Sequence, residues 1–100
     1  MSAKWNQIKK DKFPSACILC GKNAAVELAH MPLHKRYFNN RKFHKYIDVE
    51  RNAVPVCLEC KEFSESYEGR IIAVEWLRSK YDDWDDWYDG LPFRIKEKYQ

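Results

Sequence analysis

The sequence predicts a small α+β domain in which two short strands and a helix are stapled by zinc, with an additional helix toward the C-terminal end. Three observations predict it. Four cysteines form two pairs of equal spacing, Cys17-Ile-Leu-Cys20 and Cys57-Leu-Glu-Cys60, separated by 36 residues. Each pair neighbours a short strand-like run, at 26–30 and 53–56. Apolar residues then recur at spacings of three and four through Ala73, Leu77, Tyr81, Trp84 and Tyr88, the stripe of a packed helix. One hundred residues suit a single domain over 1–100, near the size at which a metal staple helps stability. Within it, 17–66 is the expected zinc core and 70–89 the expected C-terminal helix.

Composition places the chain among globular proteins. Hydrophobic residues make up 45% and aromatic residues 15%, enough to build a core rather than stay disordered. No run of 18 apolar residues occurs, so no transmembrane helix and no membrane partner are expected. Residues 1–13 carry lysines but no apolar stretch of the signal-peptide kind, so the expected location is cytoplasmic. In a reducing compartment, paired C-x-x-C spacing favours metal over disulfides. The net charge of +3 divides unevenly. Residues 1–50 hold 10 Lys/Arg against 4 Asp/Glu, giving +6, and residues 51–100 hold 8 against 11, giving −3. A basic front half suits a polyanionic partner, and an ordinary solvated surface is the plainer reading.

The elements follow in order. Residues 1–16 read as a loop or short helix ended by Pro14, anchored by Trp5, Ile8 and Phe13, with Lys9, Lys10 and Lys12 exposed. Cys17 to Gly21 is a tight knuckle closed by glycine. Val26, Leu28 and His30 alternate along a short strand that Pro32 stops. All three histidines, His30, His34 and His44, lie between the cysteine pairs. Residues 31–51 form an insert too long for a hairpin turn. There Lys35, Arg36, Arg41, Lys42 and Lys45 interleave with Tyr37, Phe38, Phe43 and Tyr46. Such a mixture can grip phosphates and stack on bases; equally, the aromatics can anchor the loop while the charges face water. Ala53 to Val56 is a second strand, made irregular or edge-like by Pro55. A helix is expected from 58 to 68, interrupted at Gly69, and a single long helix from 70 to 89, stopped by Gly90 and Pro92. Its five aspartates lie off the apolar stripe and are expected either to offer an acidic surface for a basic protein partner or to keep this end of the chain off DNA. Residues 93–100 read as a basic polar tail.

Two C-x-x-C turns supply four thiolates to a tetrahedral Zn²⁺ at about 2.3 Å each, and a four-cysteine site is closed and therefore structural. Four buried thiols or a redox pair are the competing readings.

The order of features around this zinc resembles the HNH (ββα-metal) endonuclease family, in its zinc-stapled form found in small phage nucleases. In that family C-x-x-C is followed by a strand ending in histidine. An asparagine then precedes a strand that runs into the second C-x-x-C, and a helix follows. Here the matching residues are His30 and Asn52-Ala-Val-Pro-Val-Cys57-Leu-Glu-Cys60, and the resemblance covers residues 17–66. It implies a metal-dependent DNA endonuclease in a bacterial or phage-infected host. His30 would be the general base, Asn52 would hold the loop and orient that histidine, and a Mg²⁺ or Mn²⁺ ion would be bound in part by Glu65. Lys35, Arg36, Arg41, Lys42 and Lys45 would grip DNA. Ala29 stands where the family often has a metal-binding Asp or His, and Lys61 where it usually has His or Asn. Glu27, His34 and Glu62 are the nearby substitutes. Those two departures support the alternative of a catalytically inactive zinc module that binds nucleic acid or a protein partner.

Overall fold

The sheet has two strands of four residues each: β1 (Glu27–His30) and β2 (Ala53–Val56) pair antiparallel, with Glu27 opposite Val56 and His30 opposite Ala53. The structure, a computed structural model, describes residues 3–38 and 40–99; side chains 98 and 99 are not described. Expectations for residues 1, 2, 39 and 100 lie outside the described residues. Around the sheet stand α1 (Ala3–Lys12), α2 (His44–Ile47), α3 (Tyr67–Lys80), α4 (Trp84–Asp89) and α5 (Phe93–Tyr99). None of these helices is long and apolar enough to cross a membrane.

The period-2 alternation of a strand divides the sheet into two faces. Leu28, His30, Ala53 and Pro55 share one face by register, and α1 covers it: Trp5, Ile8 and Ala53 form one buried cluster, with Leu28 packed against it. Ala29, Val54 and Val56 share the other face, which packs on Ala73, Val74 and Leu77 of α3 and Trp84 of α4. With both faces covered, β2 is buried along its whole length. A separate cluster of Leu33, Phe38, Ile47, Leu91 and Ile95 joins the 31–51 insert to α5.

Several expected elements differ. Residues 58–66 form turns and a 3-10 turn at Phe63–Glu65 rather than an α-helix. The helix begins at Tyr67, where the Ser66 hydroxyl caps it by accepting from Gly69 N–H at 3.0 Å. Gly69 therefore does not interrupt a helix. It lies in the first turn of α3, where a Cβ would collide with the Phe63 carbonyl oxygen. The long helix expected over 70–89 breaks after Lys80: Tyr81 is extended (φ −127°, ψ 104°), and α4 starts at Trp84. Tertiary bonds hold this break. Trp84 Nε1–H donates to the Arg51 carbonyl at 2.8 Å, and Arg51 clasps both carboxylate oxygens of Asp83 at 2.8 and 2.7 Å. The segment read as a polar tail is helix α5, because Ile95 is fully buried.

Lys12, expected to be exposed, is the group that pins α1 to the body. Its ammonium donates to Ala53 O at 2.6 Å and Glu50 O at 3.0 Å, and sits over the rings of Trp76 and Tyr81. Burial pulls its pKa down to about 8.

Candidate functional site

The four cysteines converge. Their sulfurs all lie within 4.8 Å of one another, and no other group of three or more metal-ligating side chains does so among the described residues. The first pair sits on a flap in which Cys17 N–H donates to Asn23 O and Ala25 N–H to Ser15 O. Gly21, at φ +68°, turns the chain so that its N–H reaches Cys17 O at 2.8 Å. The flap is tied to β2 by Ile18 N–H on Pro55 O, which brings it over the second pair at the end of that strand. In a tetrahedral site with bonds of about 2.3 Å, sulfurs stand about 3.8 Å apart; Cys20 and Cys57 Sγ are 3.9 Å apart. Backbone N–H groups of Asn23 and Lys22 lower the Cys20 thiol to about 6, while hydrogen bonding to Cys57 and burial push Cys60 up to about 12. Four thiols this close cannot all ionise without a cation among them, so the donor set fits Zn²⁺. The group is closed, and its role would be to hold the flap against β2.

The other cluster begins at His30, the last residue of β1. Its Nε2 is 2.8 Å from Asp48 Oδ1, and Trp5 stacks flat on the ring, with centroids 3.6 Å apart and planes 8° from parallel. The His30 side chain is 11% exposed and that of Asp48 5%. Burial lowers the His30 pKa, and the Asp48 carboxylate partly offsets this. With Nε2 engaged, Nδ1 is the ring nitrogen left for proton transfer.

Asn52 is fully buried and stitches the insert closed. Its amide donates to Leu33 O (3.0 Å) and Ile47 O (2.9 Å), and its oxygen accepts from Leu33 N–H (2.9 Å). The side-chain amide makes no bond to His30. Its backbone oxygen instead accepts from Met31 N–H at 3.1 Å, just past the histidine. Orientation of the imidazole falls to Asp48 and Trp5, which the sequence did not point to. Asp48 lies 18 residues from His30 and Trp5 lies 25 before it, so only the fold joins them.

A cavity of about 590 Å³ runs along β1, lined by Glu27, Ala29, His30, His34, Lys35, Arg36, Lys61, Glu62 and Glu65, among others. It brings His30 and Glu65 to one space, though Glu65 lies on a 3-10 turn rather than a helix. Two of its three acids are engaged: Lys61 pairs with Glu27 at 3.0 Å and Arg36 with Glu65 at 3.1 Å. His34 is buried, and burial lowers its pKa, with Glu65 opposing. Its Nε2 has no hydrogen-bond partner, the one such buried side-chain atom among the described residues. Ala29 and Lys61 contribute no ligand atom for a second ion, so the donors present in this cavity are His34, Glu65, Glu62 and Glu27.

Lys35 and Arg36 border the cavity, while Arg41, Lys42 and Lys45 are exposed on the following turns. Among the described residues, no ion pair engages Lys35, Arg41, Lys42 or Lys45. The interleaved aromatics mostly turn inward: Phe38 is buried, Phe43 and Tyr46 pack on the same cluster, and Tyr37 stays exposed. On α4, Trp84 is buried and Asp85 pairs with Arg78, while Asp83, just before the helix, pairs with Arg51. This helix therefore shows carboxylates outward rather than Trp84.

Comparison of the chain with family models, with curated proteins and with solved structures finds no match.

Proposed function

We propose that this chain is a metal-dependent DNA endonuclease of HNH type, hydrolysing phosphodiester bonds with His30 as general base. The observation that carries the reading is the Trp5–His30–Asp48 arrangement at the wall of a cavity bordered by Lys35, Arg36 and Lys61. Asp48 accepts the Nε2 proton, which leaves Nδ1 with its lone pair to take a proton from water. Burial keeps the ring neutral near pH 7, the form a base requires. Trp5 prevents the ring from rotating off that line. Lys35, Arg36 and the exposed Arg41, Lys42 and Lys45 supply positive charge for a phosphate backbone, a contact that positions DNA without reading its sequence. A bound Mg²⁺ or Mn²⁺ would supply charge stabilisation at the phosphate and leaving oxygen. Asn52 and the zinc cluster keep both walls in place.

Incubation with supercoiled plasmid in Mg²⁺, Mn²⁺, Ni²⁺ or EDTA tests this. Metal-dependent nicking that His30→Ala abolishes, with folding and DNA binding kept, is the expected result. An alanine variant that cuts as fast as the parent refutes the assignment.

One observation favours the second reading, a zinc module that binds nucleic acid without cutting it. Lys61 occupies a family ligand position and neutralises Glu27, as Arg36 neutralises Glu65. Salt-sensitive gel-shift binding with no nicking under any metal selects that reading.

A further inference from the structure

We propose that Lys12 is a positioning residue for His30: its clasp on the Ala53 and Glu50 carbonyls sets where α1 lies, and so where the Trp5 indole meets the imidazole. Trp5, Ile8 and Lys12 follow at spacings of three and four, so they share one face of α1. Lys12 stands about 10 Å further along the helix axis than Trp5. The first two side chains are buried against Ala53. Burial of this kind is non-directional. It keeps the indole out of water without fixing its placement over a particular ring. Yet the stack is closely defined, with centroids 3.6 Å apart and planes 8° from parallel. Something directional has to place it.

Lys12 supplies that direction. Its ammonium donates to Ala53 O at 2.6 Å and to Glu50 O at 3.0 Å, and hydrogen bonds depend on both distance and angle. Ala53 is the residue opposite His30 in the sheet, so helix and imidazole are referred to the same rung of the ladder. The anchor is itself fixed. Between the two carbonyls, Arg51 O accepts from the Trp84 indole and Asn52 is fully buried. The rings of Trp76 and Tyr81, 5.3 and 5.5 Å from the ammonium, complete its seat. Glu50 and Lys80 are the charges that act on it.

The consequence falls on His30. Burial is the main cause of its lowered pKa, and the indole covers one face of the ring. If the clasp is lost and α1 shifts, water reaches that face and the pKa rises. The charges acting on the ring come from Asp48, Lys35 and His44, all of which the Lys12 variants keep. This inference rests on the nuclease reading only for what the imidazole does; the stacking itself does not depend on cleavage.

The test is NMR of the zinc-loaded protein in Lys12→Met and Lys12→Gln, two variants that cannot span the clasp. A stacked indole shifts the His30 Cε1–H signal upfield, and Trp5→Leu gives its position without the stack. In both Lys12 variants the signal should move toward that position and the His30 pKa should rise. Val74→Ala, on the other face of the sheet, loses stability without touching α1 and should leave both readouts unchanged. In the plasmid assay the Lys12 variants should lose about tenfold or more in kcat with little change in KM. Zinc content and melting temperature show which variants are folded, and either Lys12 variant suffices. A folded Lys12 variant with the parent's His30 signal and pKa overturns the proposal, as does an equal change in Val74→Ala. A ring that moves as described in a protein that never nicks upholds the role of Lys12 and refutes the nuclease reading. Nicking that needs His30, with the ring unmoved by Lys12, does the reverse.

Discussion

Replacing Asn52 by leucine tests whether one buried amide holds the wall of the cavity. The side chain is fully buried and serves three backbone groups: Leu33 N–H, Leu33 C=O and Ile47 C=O. Leucine has nearly the same size and branching, so it leaves no room for a water to take over those bonds. The variant strands one donor and two acceptors. Each stranded group costs about 1–3 kcal/mol, so the lower end is about 3 kcal/mol for the three. The added apolar burial offsets part of any larger figure, which places the expectation near that lower end. Against a typical total of about 5–15 kcal/mol the loss is large. In a domain of this size it corresponds to a melting temperature lower by about 12–24 °C. Urea denaturation of the zinc-saturated protein measures the loss, and amide exchange at Leu33 shows whether its N–H has been released. A variant within about 1 kcal/mol of the parent, with Leu33 still protected, would refute this accounting.

Three further outcomes follow from the structure. Asp48→Asn removes the carboxylate that partly offsets burial at His30, so the imidazole pKa falls further below its ordinary value; an NMR titration that finds it raised contradicts the arrangement. Because the folded pKa is the lower one, the unfolded chain takes up the proton more readily. Stability from neutral His30 is then present above about pH 6.5 and declines as pH falls through that value, more steeply in the variant. Lys12 follows the same sign in an alkaline window, since burial lowers its pKa from 10.5 to about 8. The stability of the parent relative to Lys12→Met should rise between those two pH values, and a difference that shrinks there would contradict the buried clasp. Chelating the zinc at neutral pH should unfold the chain, read as loss of far-ultraviolet circular dichroism; a metal-free protein with unchanged helicity and melting temperature would show that the cysteines pack without it.

The parts of the fold that the sequence made legible share a cause. The cysteine pairs and the strands beside them are written in spacings of a few residues, and local backbone geometry obeys such spacings. The helix expected over 70–89 shows where this stops. Its apolar stripe continues through Trp84 and Tyr88, yet the helix breaks after Lys80 because Trp84 bonds to Arg51 and Asp83 pairs with the same residue. That shared partner, Arg51, lies some 30 residues upstream, beyond the reach of any periodicity. Gly69 misleads for a related reason: read locally it breaks a helix, whereas in the fold its missing Cβ makes room for the Phe63 carbonyl.

The candidate site divides along the same line. From the sequence alone came the four cysteines, His30 at a strand end, Asn52 before the next strand and the basic insert, because each rests on residue type and short spacing. The tertiary structure alone decided that Asp48 and Trp5 hold the imidazole, that Asn52 grips Leu33 and Ile47 rather than His30, and that Arg36 sits on Glu65 beside a stranded His34 nitrogen. Those partnerships depend on which residues the cysteine flap, the insert and α1 bring together across a two-stranded sheet. Hydrogen bonds and ring stacking act only at contact distance, and contact between distant segments is made by the packed chain, not by the order of its residues.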